Sequence, residues 1–138
     1  MKKIIFLIGI FVIGFVSSSC FAQDYRSLLT NNNSKTWRLT NLMIGGKQFV
    51  DTDSTCVYQL SVTFKADSST YLKTIPCATG TPTEKGVFSI VSDSLTFSRY
   101  TVKITNITAN QFETSYLSGI SGKDSTKTVV IVQQYQSP

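Results

Sequence analysis

Cys56, Tyr58, Leu60, Val62 and Phe64 alternate with Val57, Gln59, Ser61 and Thr63, the plainest period-two stretch in the chain. The even set is the more apolar, so a strand over residues 56–64 is predicted to turn that set toward a core. Similar short runs rich in Val, Ile, Thr, Tyr and Phe follow one another along the chain, separated by turn chemistry. Residues 36–44 form the first and end at Gly45-Gly46. Lys65-Ala66-Asp67-Ser68 turns 56–64 into 69–75, and a loop at 76–82 follows. Strands at 85–91 and 94–98 meet around Ser92-Asp93, and strands at 101–107 and 111–118 meet at Ala109-Asn110. A polar loop at 119–125 leads to a last strand at 126–135.

Residues 24–33 alone have helical character: Asp24 can cap, Leu28 and Leu29 supply an apolar patch, and Asn31-Asn32-Asn33 ends it. Without further helices there are no crossovers to support parallel strands, so the eight strands are predicted to run as an antiparallel meander. Closing the meander removes its two exposed edges. The predicted fold is all-β: a single eight-stranded antiparallel up-and-down barrel preceded by a short helix.

The start of the chain is of another kind. Lys2 and Lys3 precede an apolar run over 4–16 and the small-residue stretch Ser17-Ser18-Ser19-Cys20-Phe21-Ala22. That is the layout of an export signal, too short to read as a membrane span. Cleavage after Ala22 leaves a domain of 23–138 beginning at Gln23; cleavage after residue 19 leaves Cys20 as an acylated first residue. The first gives a periplasmic or extracellular protein, the second an outer-membrane lipoprotein that touches the membrane only through that anchor.

Either cleavage leaves two thiols, Cys56 and Cys77, in a compartment where disulfides persist. If Ala66 and Asp67 are the central turn residues, Val62 faces Tyr71, Tyr58 faces Ile75, and Cys56 faces Cys77 within bridging distance. A bulged turn with Ser68 left-handed offsets the cysteines by one. The alternative to a bridge is two free buried thiols.

Removing 22 of 138 residues leaves 116, enough for one domain with a core. The thirteen basic residues lose Lys2 and Lys3, leaving eleven against eight acidic ones, and the lysines are dispersed. Nucleic-acid binding asks for a clustered basic stripe, so no nucleic-acid partner is expected.

Leu28-Leu29 followed by Trp37-Arg38-Leu39, Cys56 entering the second strand, and Leu60-Ser61-Val62-Thr63-Phe64-Lys65-Ala66-Asp67 form a series that spans the mature chain. Gly86-Val87-Phe88-Ser89-Ile90, Asp93-Ser94-Leu95-Thr96-Phe97 and Ile104-Thr105-Asn106-Ile107-Thr108 continue it. In these residues the chain resembles the small lipocalin-like proteins exported by Bacteroidota. Lys35 stands where lipocalins place glycine two residues before the tryptophan, and Gln136 follows the last-strand tyrosine where a basic residue is common. The resemblance implies a non-catalytic envelope protein that binds a small hydrophobic ligand inside its barrel.

The residue chemistry agrees with a non-enzyme. Histidine is absent, which removes the commonest general base and metal ligand. Asp67, Asp93 and Asp124 fall in predicted turns, where they cap local backbone. Asp51 and Asp53 lack the glycine and glutamate of a calcium loop, and the two glutamates, Glu84 and Glu113, have no partner evident in the sequence. No cofactor or metal site is expected. Inward aromatics are the candidates for a ligand cavity: Phe64, Phe88, Phe97, Phe112 and Tyr116, with Trp37 a structural plug near the helix. If they instead fill the barrel, the alternative is an interaction module that contacts a protein or glycan through loops 45–55, 76–84 and 119–125. Asp53-Ser54-Thr55, Asp93-Ser94-Leu95 and Asp124-Ser125-Thr126 resemble bacterial O-glycosylation acceptors at Ser54, Ser94 and Ser125.

Overall fold

The structure, a computed structural model, describes residues 17–50, 56–77, 80–121 and 126–138. The charged and apolar leader over 1–16, Asp51, Asp53, Ser54, Asp124 and Ser125 lie outside the described residues. Among the described residues no helix is long and apolar enough to cross a membrane.

Helix α1 (Ser17–Thr30) starts earlier than 24 and stops three residues before 33, so Asp24 lies within it rather than capping it. It ends where Asn31 and Asn32 take left-handed conformations (φ 52° and 60°), which asparagine tolerates better than most residues. The strands are β1 (Ser34–Ile44), β2 (Lys47–Gln48), β3 (Ser61–Lys65), β4 (Thr70–Thr74) and β5 (Thr83–Val87). β6 (Ser89–Val91), β7 (Ser94–Phe97), β8 (Tyr100–Ile107), β9 (Gln111–Ser121) and β10 (Thr126–Gln136) complete the set.

Every pairing is antiparallel, in the order β5-β4-β3-β1-β10-β9-β8-β7-β6, with β2 folded back on β1 through Gly45 and Gly46. β1 pairs with β10 from Arg38↔Gln136 to Ile44↔Ile131, joining the first strand to the last. β5 and β6, the two ends of this order, are one run of chain divided at Phe88. Its first half belongs to β4 and its second to β7. The expected strand over 85–91 is therefore split in two. With β2 as a short addition, the eight staves of an up-and-down barrel become ten strands, and the barrel is nearly closed.

The β3–β4 register departs from both sequence alternatives. Lys65 pairs with Thr70 and Ser61 with Thr74 across a four-residue turn in which Ser69 is left-handed (φ 49°). Val62 thus faces Lys73, and Phe64 faces Tyr71. A two-residue shift leaves each side chain on the same face, so Val62 and Phe64 still point inward. The chain does not stay extended back to Cys56. Val57–Gln59 forms a 3-10 turn after Cys56 (φ 50°), and this turn, not strand opposition, brings Cys56 to its bridge with Cys77 (Cα–Cα 5.7 Å).

One end of the barrel is plugged by α1. Trp37 Nε1 donates to the Leu29 carbonyl at 2.8 Å, and both residues are fully buried. Arg26 donates to the Ala66 carbonyl and to Ser69 Oγ, each at 2.7 Å, with its guanidinium over the Phe88 ring. Lys35 reaches across to the Ala109 carbonyl with its ammonium 4.3 Å from the Trp37 ring centroid. The charge sits over the face of the indole and lends the plug a cation–π contact.

Candidate functional site

Above the plug the barrel is solid. Phe64 meets Phe88, Phe97 and Phe112 edge-on at centroid distances of 5.1, 5.5 and 6.5 Å, the preferred arrangement for aromatic quadrupoles. Trp37 packs on Phe112 at 5.5 Å, and Phe112 stacks on Tyr135 at 5.3 Å. Phe64, Phe88 and Phe112 are at most 3 % exposed. These three cavity candidates occupy the closed half; Phe97 and Tyr116 reach the opposite end.

That opposite end holds a cavity of about 80 Å³. Leu60, Val62, Phe97 and Val102 form its apolar wall, and Lys73, Ser98, Tyr100, Tyr116, Gln133 and Tyr135 supply its polar groups. Alternation places them there: Tyr71 and Lys73 share the inward face of β4, and Phe112, Thr114 and Tyr116 share that of β9. Tyr100 and Tyr116 stand at the rim with ring centroids 6.4 Å apart.

Burial acts on two of the phenols here. Burial raises the Tyr135 phenol well above its ordinary range, with the neighbouring Tyr116 a smaller cause, and its OH donates to Gln133 Oε1 at 3.2 Å. Burial likewise raises Tyr116, assisted by Tyr100. The charges at this end form a pair, Lys73 Nζ 3.8 Å from Glu84 Oε2. Glu84 also accepts from Ser98 Oγ and from Tyr71 OH, and these two hydrogen bonds pull its carboxyl below the usual range. The same contact, after burial, raises Tyr71. Thr114, between Phe112 and Tyr116 on the inward face of β9 and opposite Gln133, is 1 % exposed, and its Oγ1 has no hydrogen-bond partner.

The barrel order, the aromatic packing at the plugged end and the opposing mouth are those of a ligand-binding calyx, and the sequence confirms the kinship: the profile of the lipocalin-like domain matches residues 34–114, more than half of the chain. The chain belongs to the lipocalin-like family. The match covers β1 through the first part of β9, and the structure adds the β9–β10 hairpin that completes this lipocalin-like barrel. No curated protein matches the chain.

Among the other residues singled out, Cys20 falls within α1, Ser94 opens β7 opposite Lys103, and Asp93 pairs with Lys103 at 3.3 Å. No group of three or more metal-binding side chains occurs among the described residues. Sequence reasoning missed Lys73, Glu84, Ser98 and Gln133. The available signal was parity: Lys73 is two residues from Tyr71, and Gln133 two from Tyr135, each on an inward-facing series.

Proposed function

We propose that this lipocalin-like protein works outside the cytoplasm and holds a small, largely apolar molecule in the mouth of its barrel, without catalysing a reaction. The observation that carries the reading is the cavity at the unplugged end, walled by Leu60, Val62, Phe97 and Val102 and bordered by polar groups. Thr114, two residues from Tyr116 on the inward face of β9, keeps a buried hydroxyl without a partner, which is destabilising, and a ligand hydroxyl or carbonyl that reached it would supply the missing bond. Burial favours the neutral phenols of Tyr135 and Tyr116, and the Lys73 ammonium is paired with Glu84, which suits a largely apolar molecule with one polar end. The leader-like N-terminus and the Cys56–Cys77 bridge support export, as a free periplasmic or extracellular protein or as a lipoprotein on Cys20.

A second reading has its own support. The cavity falls below the roughly 300–1,000 Å³ of an ordinary small-molecule site. Leu117 and Val130 pair across β9 and β10 on the outer wall, 71 % and 47 % exposed. On that reading the barrel is an interaction module for a protein or glycan. Native mass spectrometry of protein drawn gently from its own host separates the two. A mass that departs on denaturation, together with saturable displacement of an apolar fluorescent dye, supports the ligand reading. A bare polypeptide that binds no such dye overturns it.

A further inference from the structure

A second concavity lies on the outside of the barrel, away from the mouth. Its floor is two cross-strand pairs on the outward face of the β9–β10 hairpin, Glu113↔Gln134 and Gln111↔Gln136. Its walls arise because β1 is bulged between Leu39 and Asn41 and β8 between Ile104 and Asn106, at the same level on either side of that hairpin. Each bulge inserts a threonine, Thr40 or Thr105, and bends its strand, so the sheet cups around a volume of about 160 Å³.

The side chains are ordered into a row. Asn41 Nδ2 donates to Gln134 Oε1 at 2.9 Å, and Gln134 Nε2 donates to Glu113 Oε2 at 2.7 Å. Thr105 Oγ1 closes the row on Glu113 Oε1 at 2.6 Å, while Thr40 Oγ1 donates to the Gln134 carbonyl at 3.1 Å. The far end of the row, Asn41 Oδ1, is buried without a partner, so the row is not arranged for stability alone. The amides of Gln111, Gln136 and Asn106 border the concavity and are exposed. Each amide offers two donors and an acceptor.

We infer that this outer concavity is a binding site for a neutral polyhydroxylated molecule, a sugar ring. The lining mixes donors and acceptors in fixed places, as ring hydroxyls require. It carries no cation to attract a phosphate. Its one carboxylate accepts a hydrogen bond on each oxygen, and no second carboxylate, histidine or cysteine lines the concavity to share a metal ion with it. No exposed aromatic offers a stacking face, so affinity is set by hydrogen bonds and falls in the millimolar range.

The test is titration of the 15N-labelled protein with glucose, galactose, N-acetylglucosamine and glycerol, followed by side-chain NH2 signals. Saturable shifts at Gln111, Gln134, Gln136 and Asn106 are expected with at least one sugar. Gln136→Ala and Asn106→Ala, which spare the Asn41–Gln134–Glu113 row, should each weaken them about tenfold, and Tyr116→Phe in the mouth should leave them unchanged. Shifts that survive both alanine variants, shifts abolished by Tyr116→Phe, or none with any sugar into the hundred-millimolar range would overturn the assignment.

Discussion

The indole Nε1 of Trp37 donates to the main-chain carbonyl of Leu29 at 2.8 Å, and this bond fastens helix α1 across the closed end of the barrel. Replacing Trp37 by Phe removes the indole donor to a buried carbonyl and opens space against Phe112. Loss of about 2–4 kcal/mol is expected. Chemical denaturation followed by circular dichroism measures it, since the substitution removes the chain's one tryptophan fluorophore.

Gly86 lies under the ring of its cross-strand partner Tyr71, where a Cβ would come within 2.7 Å of Cε1. Gly86→Ala should therefore destabilise the barrel by about 1–3 kcal/mol through overpacking. In a Tyr71→Ala background the same change should be nearly neutral. A double-mutant cycle that finds equal penalties in both backgrounds would show that the ring is not the cause.

Glu84 lies where β5 has no hydrogen-bonded strand on its outer side, and Ser98 and Tyr71 reach its carboxylate from β7's end and from β4. Its folded pKa is depressed, so its contribution to stability is present above the ordinary glutamate value of about 4.3 and is lost as pH falls through the lower folded value. Thermal stability should drop over that acid interval in the native protein. In Glu84→Gln the drop should be shallower, and an unchanged acid profile would remove Glu84 from the account. The group is 43 % exposed, so the effect is a modest one.

The Cys56–Cys77 bridge joins residues at a sequence separation of 21 and closes a loop that includes β3 and β4. The chain-entropy estimate for such a loop is about 3 kcal/mol. Urea midpoints for the Cys56→Ala/Cys77→Ala protein should fall accordingly. A matching fall in the native protein under reductant would assign the loss to the bond and not to the substituted side chains.

Thr114→Val keeps the shape of a buried side chain and removes its unpartnered hydroxyl. Stability should hold or rise, because that hydroxyl has no hydrogen-bond partner to lose. Affinity for whatever molecule co-purifies with the protein should fall about tenfold if that hydroxyl is its anchor. An affinity that does not change would place the ligand elsewhere.

Several parts of this architecture were legible from particular residues. The alternation through Leu60, Val62 and Phe64 named an inward face, and it stayed inward despite a two-residue error in register. Period two explains why: a shift by an even number exchanges partners and keeps faces. The turn that set the register was misread because Ser69, and not Ser68, takes the left-handed position, so the loop holds four residues and not the two central ones, Ala66 and Asp67. The split at Phe88 left no signal, because one extended run can serve β4 and then β7 without a break in its composition.

Local pattern determined most strand positions, the antiparallel order and a helix near the start, and the even number of cysteines after the leader favoured one bridge, because these follow from short-range periodicity and from parity. Tertiary structure alone decided which inward aromatics fill the barrel and which reach its mouth. Phe64 and Phe97 look alike along the chain, and only their height in the closed barrel separates a buried hub from a cavity wall. The bulges of β1 and β8 are likewise unmarked in sequence. Their common level, and the polar hollow it makes from Gln111, Glu113, Gln134 and Gln136, exists only once four strands lie side by side.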